Sequence, residues 1–207
     1  MAKTEPFEKY SDRYDEWFEK NRDAYHAELE AIRQLIPSPH AVGLEVGVGS
    51  GKFAVPLGIK IGIEPSEKMA AKAEKQGIRV IKGAAEDLQF QDSEFDFVLM
   101  VTTICFVDDI LKSFREAFRV LKPSGCIIVG FVDRESDLGK KYSNRREASV
   151  FYRDAEFFST QEVCKYLTDA GFVDLSFRQT LISGEEKNLI QDGFGKGAFV
   201  AVKGMKQ

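Results

Sequence analysis

Gly47, Gly49 and Gly51 stand at alternate positions directly after the apolar, acid-bearing segment Leu44-Glu45-Val46. Glycines so placed let the chain turn sharply and let a ligand approach the main chain. A helix starting behind them aims its free amide groups at that ligand. Two phosphate-binding patterns compete for such a turn, and spacing disfavours both. The dinucleotide fingerprint G-x-G-x-x-G/A, counted from Gly47, puts Lys52 in its last slot. Counted from Gly49, Gly51 is followed by Lys52 and Phe53 before Ala54, and the register of the leading strand is wrong. The phosphate loop G-x-x-x-x-G-K-[ST] would need glycine where Val46 stands and a hydroxyl where Phe53 stands.

Two carboxylates accompany the turn. Glu45 lies inside the apolar run, where a charged residue is expected to be paired rather than solvated. Glu64 ends a second apolar run, and a carboxylate there can accept two donors at once. The two histidines, His26 and His40, lie in no recognisable motif, so no catalytic residue is assigned and His26 is only a weak candidate base. Cys105, Cys126 and Cys164 lack metal-ligand or disulfide spacing, so no metal is expected. Cys105 and Cys126 read as core thiols.

The elements that must hold these groups alternate between strand and helix patterns, as a parallel sheet flanked by helices requires. Residues 6–36 read as one helix with an aromatic stripe: Phe7, Tyr10, Tyr14, Trp17, Phe18 and Tyr25. Strands are expected at 41–46, 58–64, 78–82, 95–101 and 126–132. A short helix is expected at 66–76, closed by Gly77. Pro56 leaves room for only about two helical turns after Gly51. Asp108 is the expected cap of a helix with the stripe Ile110, Leu111, Phe114, Ala117, Phe118 and Leu121. Residues 134–158 show no clear period. Ser159 and Glu162 form a capping box, and Gly171 ends that helix. Residues 175–181 and 198–203 alternate as an antiparallel edge pair.

In this order, the acid-x-G-x-G-x-G turn, Ile63-Glu64-Pro65-Ser66, Gly83-Ala84-Ala85-Glu86-Asp87-Leu88, Phe95-Asp96-Phe97-Val98 and Arg115-Glu116 through Leu121-Lys122-Pro123-Ser124-Gly125 resemble class I S-adenosylmethionine-dependent methyltransferases. The likeness is to the small-molecule, type 11-like subgroup, over roughly residues 44–172. The resemblance implies an α/β, doubly wound, Rossmann-like sheet of seven strands, mostly parallel, with an antiparallel C-terminal edge pair. One domain is expected over 1–207: a helical lid at 1–40, a cofactor-binding core at 41–133, a substrate-side insertion at 134–158, and a helix with edge strands at 159–207.

It also implies S-adenosylmethionine as cofactor, with S-adenosylhomocysteine as product. Val46, Gly47, Gly49 and Gly51 would floor the methionine part, and Glu45 would fix the turn and face the amino group. Glu64 would take both ribose hydroxyls, with Pro65 and Met69 lining the ribose and adenine side. Ala85 and Glu86 would bracket adenine, although Ala84 stands where the family often carries an acid. Val101 and Thr102 would pass the methionine moiety, and Tyr14 would reach in from the lid, with Tyr10 and Trp17 as walls. The basic run Lys140, Lys141, Arg145, Arg146 and the aromatics Phe151, Tyr152, Phe157, Phe158 suit either an anionic or aromatic substrate or a solvated loop.

The expected function is methyl transfer by in-line displacement to a small-molecule acceptor. A cofactor-binding module without turnover and a protein-directed methyltransferase are the alternatives. Thr102-Thr103-Ile104-Cys105 lacks the Asn/Asp-Pro-Pro-aromatic tetrapeptide of nucleic-acid amine methylation, and the net charge of -4 and pI near 5.4 disfavour a phosphate backbone. No nucleic-acid or membrane partner is therefore expected. The charged N-terminal decapeptide has no apolar signal core, so a cytoplasmic setting is the default. No oligomeric state is specified.

Overall fold

The computed structural model describes residues 4–186 and 188–207; the first three residues of the charged N-terminal decapeptide lie outside that range. The N-terminal pattern forms three helices rather than one: α1 (Glu5–Lys9), α2 (Ser11–Lys20) and α3 (Arg22–Arg33). The breaks fall at Tyr10 and Asn21, both outside helical geometry, and the Asn21 side chain donates to the Trp17 carbonyl instead of prolonging the helix.

The core alternates as expected: β1 (Gly43–Val46), α4 (Ala54–Leu57), β2 (Ile61–Ile63), α5 (Glu67–Lys75), β3 (Arg79–Ile81), β4 (Phe95–Val101), α6 (Ile110–Val120) and β5 (Leu121–Val132). Ser66 caps α5, its hydroxyl accepting from the Met69 amide. The cap of α6 is Asp109, not Asp108: the Asp109 carboxylate accepts from the Lys112 amide at 2.9 Å. The Pro123–Gly125 segment lies within β5, whose register against β4 slips between Phe95 and Phe97.

Residues 134–158 are not all loop. They contain α7 (Asp137–Arg145), capped by Ser136, and a 3-10 turn (Arg146–Ala148). Its long polar face hid the helical period. α8 (Thr160–Asp169) carries the expected Ser159/Glu162 capping box. β6 (Val173–Ile182), β7 (Gln191–Asp192) and β8 (Gly197–Met205) complete the chain.

Among the described residues the sheet has eight strands in the order β3-β2-β1-β4-β5-β8-β6-β7. The first five are parallel, and β8 runs antiparallel between β5 and β6. The strand beyond the expected seven is the two-residue β7 on the edge of β6. One face buries Leu44, Val98, Phe114 and Val200, and the other buries Ile32, Phe53, Leu99 and Phe199. Strand order reverses beside β1, so the carboxyl ends of β1 and β4 open a crevice, the usual ligand position in such sheets. Among the described residues, no helix is long and apolar enough to cross a membrane.

Candidate active site

A cavity of about 710 Å³ occupies that crevice, within the range of about 300–1,000 Å³ typical of small-molecule sites. Its floor is the turn after β1. Gly47 and Gly49 have φ of +74° and +55°, left-handed values that side chains adopt at a cost. A Cβ on Gly47 would lie 2.5 Å from the Thr103 hydroxyl, whereas one on Gly49 would meet nothing nearer than 3.5 Å and would stand beside Met69 and Tyr14, which line the cavity. Gly49 is thus bare towards the cavity, and Gly47 is bare because Thr103 presses on it. Thr103 donates to the carbonyls of Val46 and Val101 at 3.1 Å. Sequence reasoning missed this wall residue.

Of the expected contacts, Tyr14, Val46, Gly47, Gly49, Glu64, Pro65, Met69, Ala85, Glu86, Val101 and Thr102 all line the cavity. Glu45 and Gly51 do not. Gly51 packs against the core, where a Cβ would come within 2.7 Å of Ile78. Glu45 is 2% exposed; it accepts the Ala54 amide and leaves Oε2 without a partner, and burial pushes its pKa well up. It therefore holds the turn from behind. Of the expected walls, Trp17 is on the lining and Tyr10 is not. His26 faces solvent.

Glu64 is 7% exposed and binds the turn to α5: Oε2 accepts the Gly49 amide at 2.8 Å and Oε1 the Ser66 amide at 2.9 Å. Burial raises its pKa, against the lowering effect of these two amides. Each oxygen retains a further lone pair, so the carboxylate can still receive a vicinal diol from the cavity. Glu86 turns Oε1 to the Asp108 and Asp109 amides. Thr102, at φ +51°, is a β-branched residue in the left-handed region, at the end of β4 on the cavity wall.

The N-terminal helices close the cavity from above. Asp15 accepts from Ser50 Oγ at 2.5 Å and from Lys72 at 2.7 Å, and Tyr25 donates to the Lys52 carbonyl, tying α2 and α3 to the glycine turn. Phe7 and Tyr14 meet Phe151 at ring distances of 5.7 and 6.0 Å, and Phe7 meets Phe106 at 5.1 Å. Lys141 and Arg145 of α7 line the cavity, as do Phe151 and Tyr152, while Phe157 and Phe158 are buried in the core. Glu28 of α3 also lines it, 5% exposed, and burial pushes its pKa up to about 8. A signal for it existed in the sequence, since Glu28 shares a helical face with Ala24, Ala31 and Ile32.

The Methyltransferase domain family matches residues 44–129. A solved Thermotoga maritima protein, described as an S-adenosylmethionine-dependent methyltransferase and possible histamine N-methyltransferase, is 48% identical. It superposes with a TM-score of 0.94 over 99% of this chain and 100% of its own. An uncharacterised Methanocaldococcus jannaschii protein is 45% identical over 203 residues, spanning 97% of this chain and 98% of that one. A ubiquinone/menaquinone biosynthesis C-methyltransferase of Rickettsia bellii is 33% identical over 186 residues, spanning 72% of this chain and 75% of that one. The chain belongs to the S-adenosylmethionine-dependent methyltransferases. It is an enzyme of class I, with the Rossmann-like fold that the motif order implied.

Proposed function

We propose that this enzyme methylates a small molecule that shares one continuous cavity with S-adenosylmethionine. The observation that carries the reading is the continuity of that cavity. It runs from Gly49, Glu64 and Ala85 at the strand ends to Glu28, Lys141 and Tyr142 under α3 and α7. The first end suits the cofactor. Val46, Gly47 and Gly49 floor the methionine part, Glu64 takes the ribose hydroxyls, and Pro65, Met69, Ala85 and Glu86 flank ribose and adenine. Val101, Thr102 and Tyr14 border the reacting centre, and Glu45 and Gly51 keep the turn in shape from behind.

S-adenosylmethionine supplies a methyl group on a sulfonium, an electrophile that needs no further activation. The chain's own task is then to align the acceptor and exclude water. The aromatic contacts of Phe7, Tyr14, Phe106 and Phe151 serve that exclusion. A small acceptor is supported by the size of the cavity, about 710 Å³, and by the N-terminal helices that partly cover it. The description of the Thermotoga relative as a possible histamine N-methyltransferase agrees with a small acceptor.

Calorimetric titration with S-adenosylmethionine, S-adenosylhomocysteine and NAD tests the reading. Binding of the two adenosyl-sulfur ligands, and not of NAD, is expected. A folded protein that binds neither would remove the assignment of the strand-end pocket.

A further inference from the structure

Glu28 is a carboxyl group with no structural task. It projects from the middle of α3 into the cavity and is only 5% exposed. Among the described residues, no hydrogen bond or ion pair reaches it. The other buried acids are engaged: Glu45 by the Ala54 amide, Glu64 by the Gly49 and Ser66 amides, and Asp133 by Thr160 and the Glu135 amide. A buried acid without a partner is costly to a fold and is retained where something else uses it.

Its surroundings are aromatic. Tyr14 of α2, Tyr142 of α7 and Tyr152 line the same cavity. Tyr142 and Tyr152 stack at 5.1 Å, and Tyr152 stacks on Phe106 at 6.3 Å. The cationic groups on the same cavity are Arg13 and Lys20 of α2 with Lys141 and Arg145 of α7, and all four are exposed residues. A buried carboxyl on a cavity that aromatic rings also line, with the basic side chains exposed, suits a cationic ligand.

We propose that the methyl acceptor is a primary or secondary amine and that Glu28 receives its nitrogen. This rests on the cofactor reading above and adds the acceptor class to it. The balance is simple. An ammonium entering the cavity gives one N–H proton to the Glu28 carboxylate, which becomes a neutral acid. The freed lone pair forms the new N–C bond while the C–S bond pair returns to sulfur, giving an N-methylammonium and a neutral thioether. Burial holds the Glu28 pKa near 8, close enough to that of an alkylamine for this proton to be shared.

The test uses the full chain saturated with S-adenosylhomocysteine. Phenethylamine, tyramine and hexylamine are titrated by calorimetry, each against the alcohol carrying OH in place of NH2. The expected result is an amine preference of about tenfold or more, as for hydrogen bonds to a charged group. Glu28→Gln should abolish that preference while its affinity for S-adenosylhomocysteine stays within about twofold. A circular-dichroism melt shows whether the variant is folded. In the wild type, which does not depend on the variant's folding, amine affinity should rise as pH increases through the range in which Glu28 ionises. Equal affinity for amine and alcohol overturns the proposal, as does no amine binding by protein that binds S-adenosylhomocysteine. So does a Glu28→Gln variant that loses S-adenosylhomocysteine and amine together. Wild-type protein that binds no S-adenosylhomocysteine would count against the cofactor reading itself.

Discussion

At the scale of single residues, the three glycines of one motif do three different jobs. Gly49 has a left-handed φ but free space where a side chain would go, and that space is the cavity. Gly49→Ala should cost the fold only about 1–2 kcal/mol of backbone strain. Its effect on S-adenosylhomocysteine affinity should be far larger, since the methyl group would enter the cavity in which the proposed function seats the ligand. Gly51→Ala should reverse the balance, because its Cβ collides with Ile78 in the core. Thermal melts beside calorimetric titration of the two variants separate these effects, and equal losses of affinity would refute the distinction. Glu64→Ala should weaken S-adenosylhomocysteine by about 1–3 kcal/mol through lost acceptors. It should also lower the melting temperature, because the Gly49 and Ser66 amides lose their partner. Unchanged affinity in a folded variant would remove Glu64 from the site.

At the scale of elements, polar contacts of α2 tie the cover to the rim of the cavity. Asp15 ties α2 to both the glycine turn and α5, serving Ser50 and Lys72 together, beside the Asp12–Lys72 ion pair and the packing of Phe18 on Phe53. Asp15→Ala should therefore loosen the cover without touching the sheet. Amide exchange across residues 11–20 should accelerate by an amount equivalent to about 1–2 kcal/mol, while β4 and β5 stay protected. Uniform acceleration would mean that the helices are part of the global fold.

These elements also show how far the sequence could be read. The strands around β1 and β4, the short α4, the Ser159 capping box and the position on the cavity of eleven of the thirteen expected cofactor contacts follow from local rules, since apolar runs, caps and glycines act within a few residues. Glu45 and Gly51 were placed at the cofactor by their motif, yet the Glu45 carboxylate turns to the Ala54 amide of α4 and Gly51 packs against Ile78, and only tertiary packing brings those groups there. The break at Tyr10 and the polar α7 were illegible for local reasons. Tyr10 carries no side-chain cap that marks the break, and the long polar face of α7 hides its period although Ser136 caps it. Glu28 was legible as an acid on an apolar helical face, but only the cavity beneath it makes that meaningful.

At the scale of the whole molecule, the site leaves a mark on stability. Glu28, Glu45 and Glu64 all sit at or beneath one end of the sheet, and burial raises the pKa of each. The native state therefore keeps protons that the unfolded chain surrenders above about 4.5. Below that value both states are protonated and the groups cost nothing. As pH rises towards the native pKa, about 8 for Glu28, stability is lost at up to about 1.4 kcal/mol per pH unit for each such proton. Asp96, Glu116 and Glu162 act in the opposite sense. Lys122 lowers Asp96 and Arg119 lowers Glu116, while Glu162 is lowered, against burial, by Ser159 and Arg134. Their contribution is present above their ordinary values and vanishes only as pH falls through the lowered ones. The apo-protein should thus be most stable in mildly acidic solution, with a melting temperature that declines from about pH 5 to about pH 8. Glu28→Gln should flatten that decline and raise the melting temperature at neutral pH, because an amide of the same shape carries no ionisation to suppress. Melts of both proteins across this range decide it. A flat wild-type profile would mean that the cavity hydrates Glu28 enough for it to ionise normally, whereas parallel declines in the two proteins would assign the lost stability to Glu45 and Glu64.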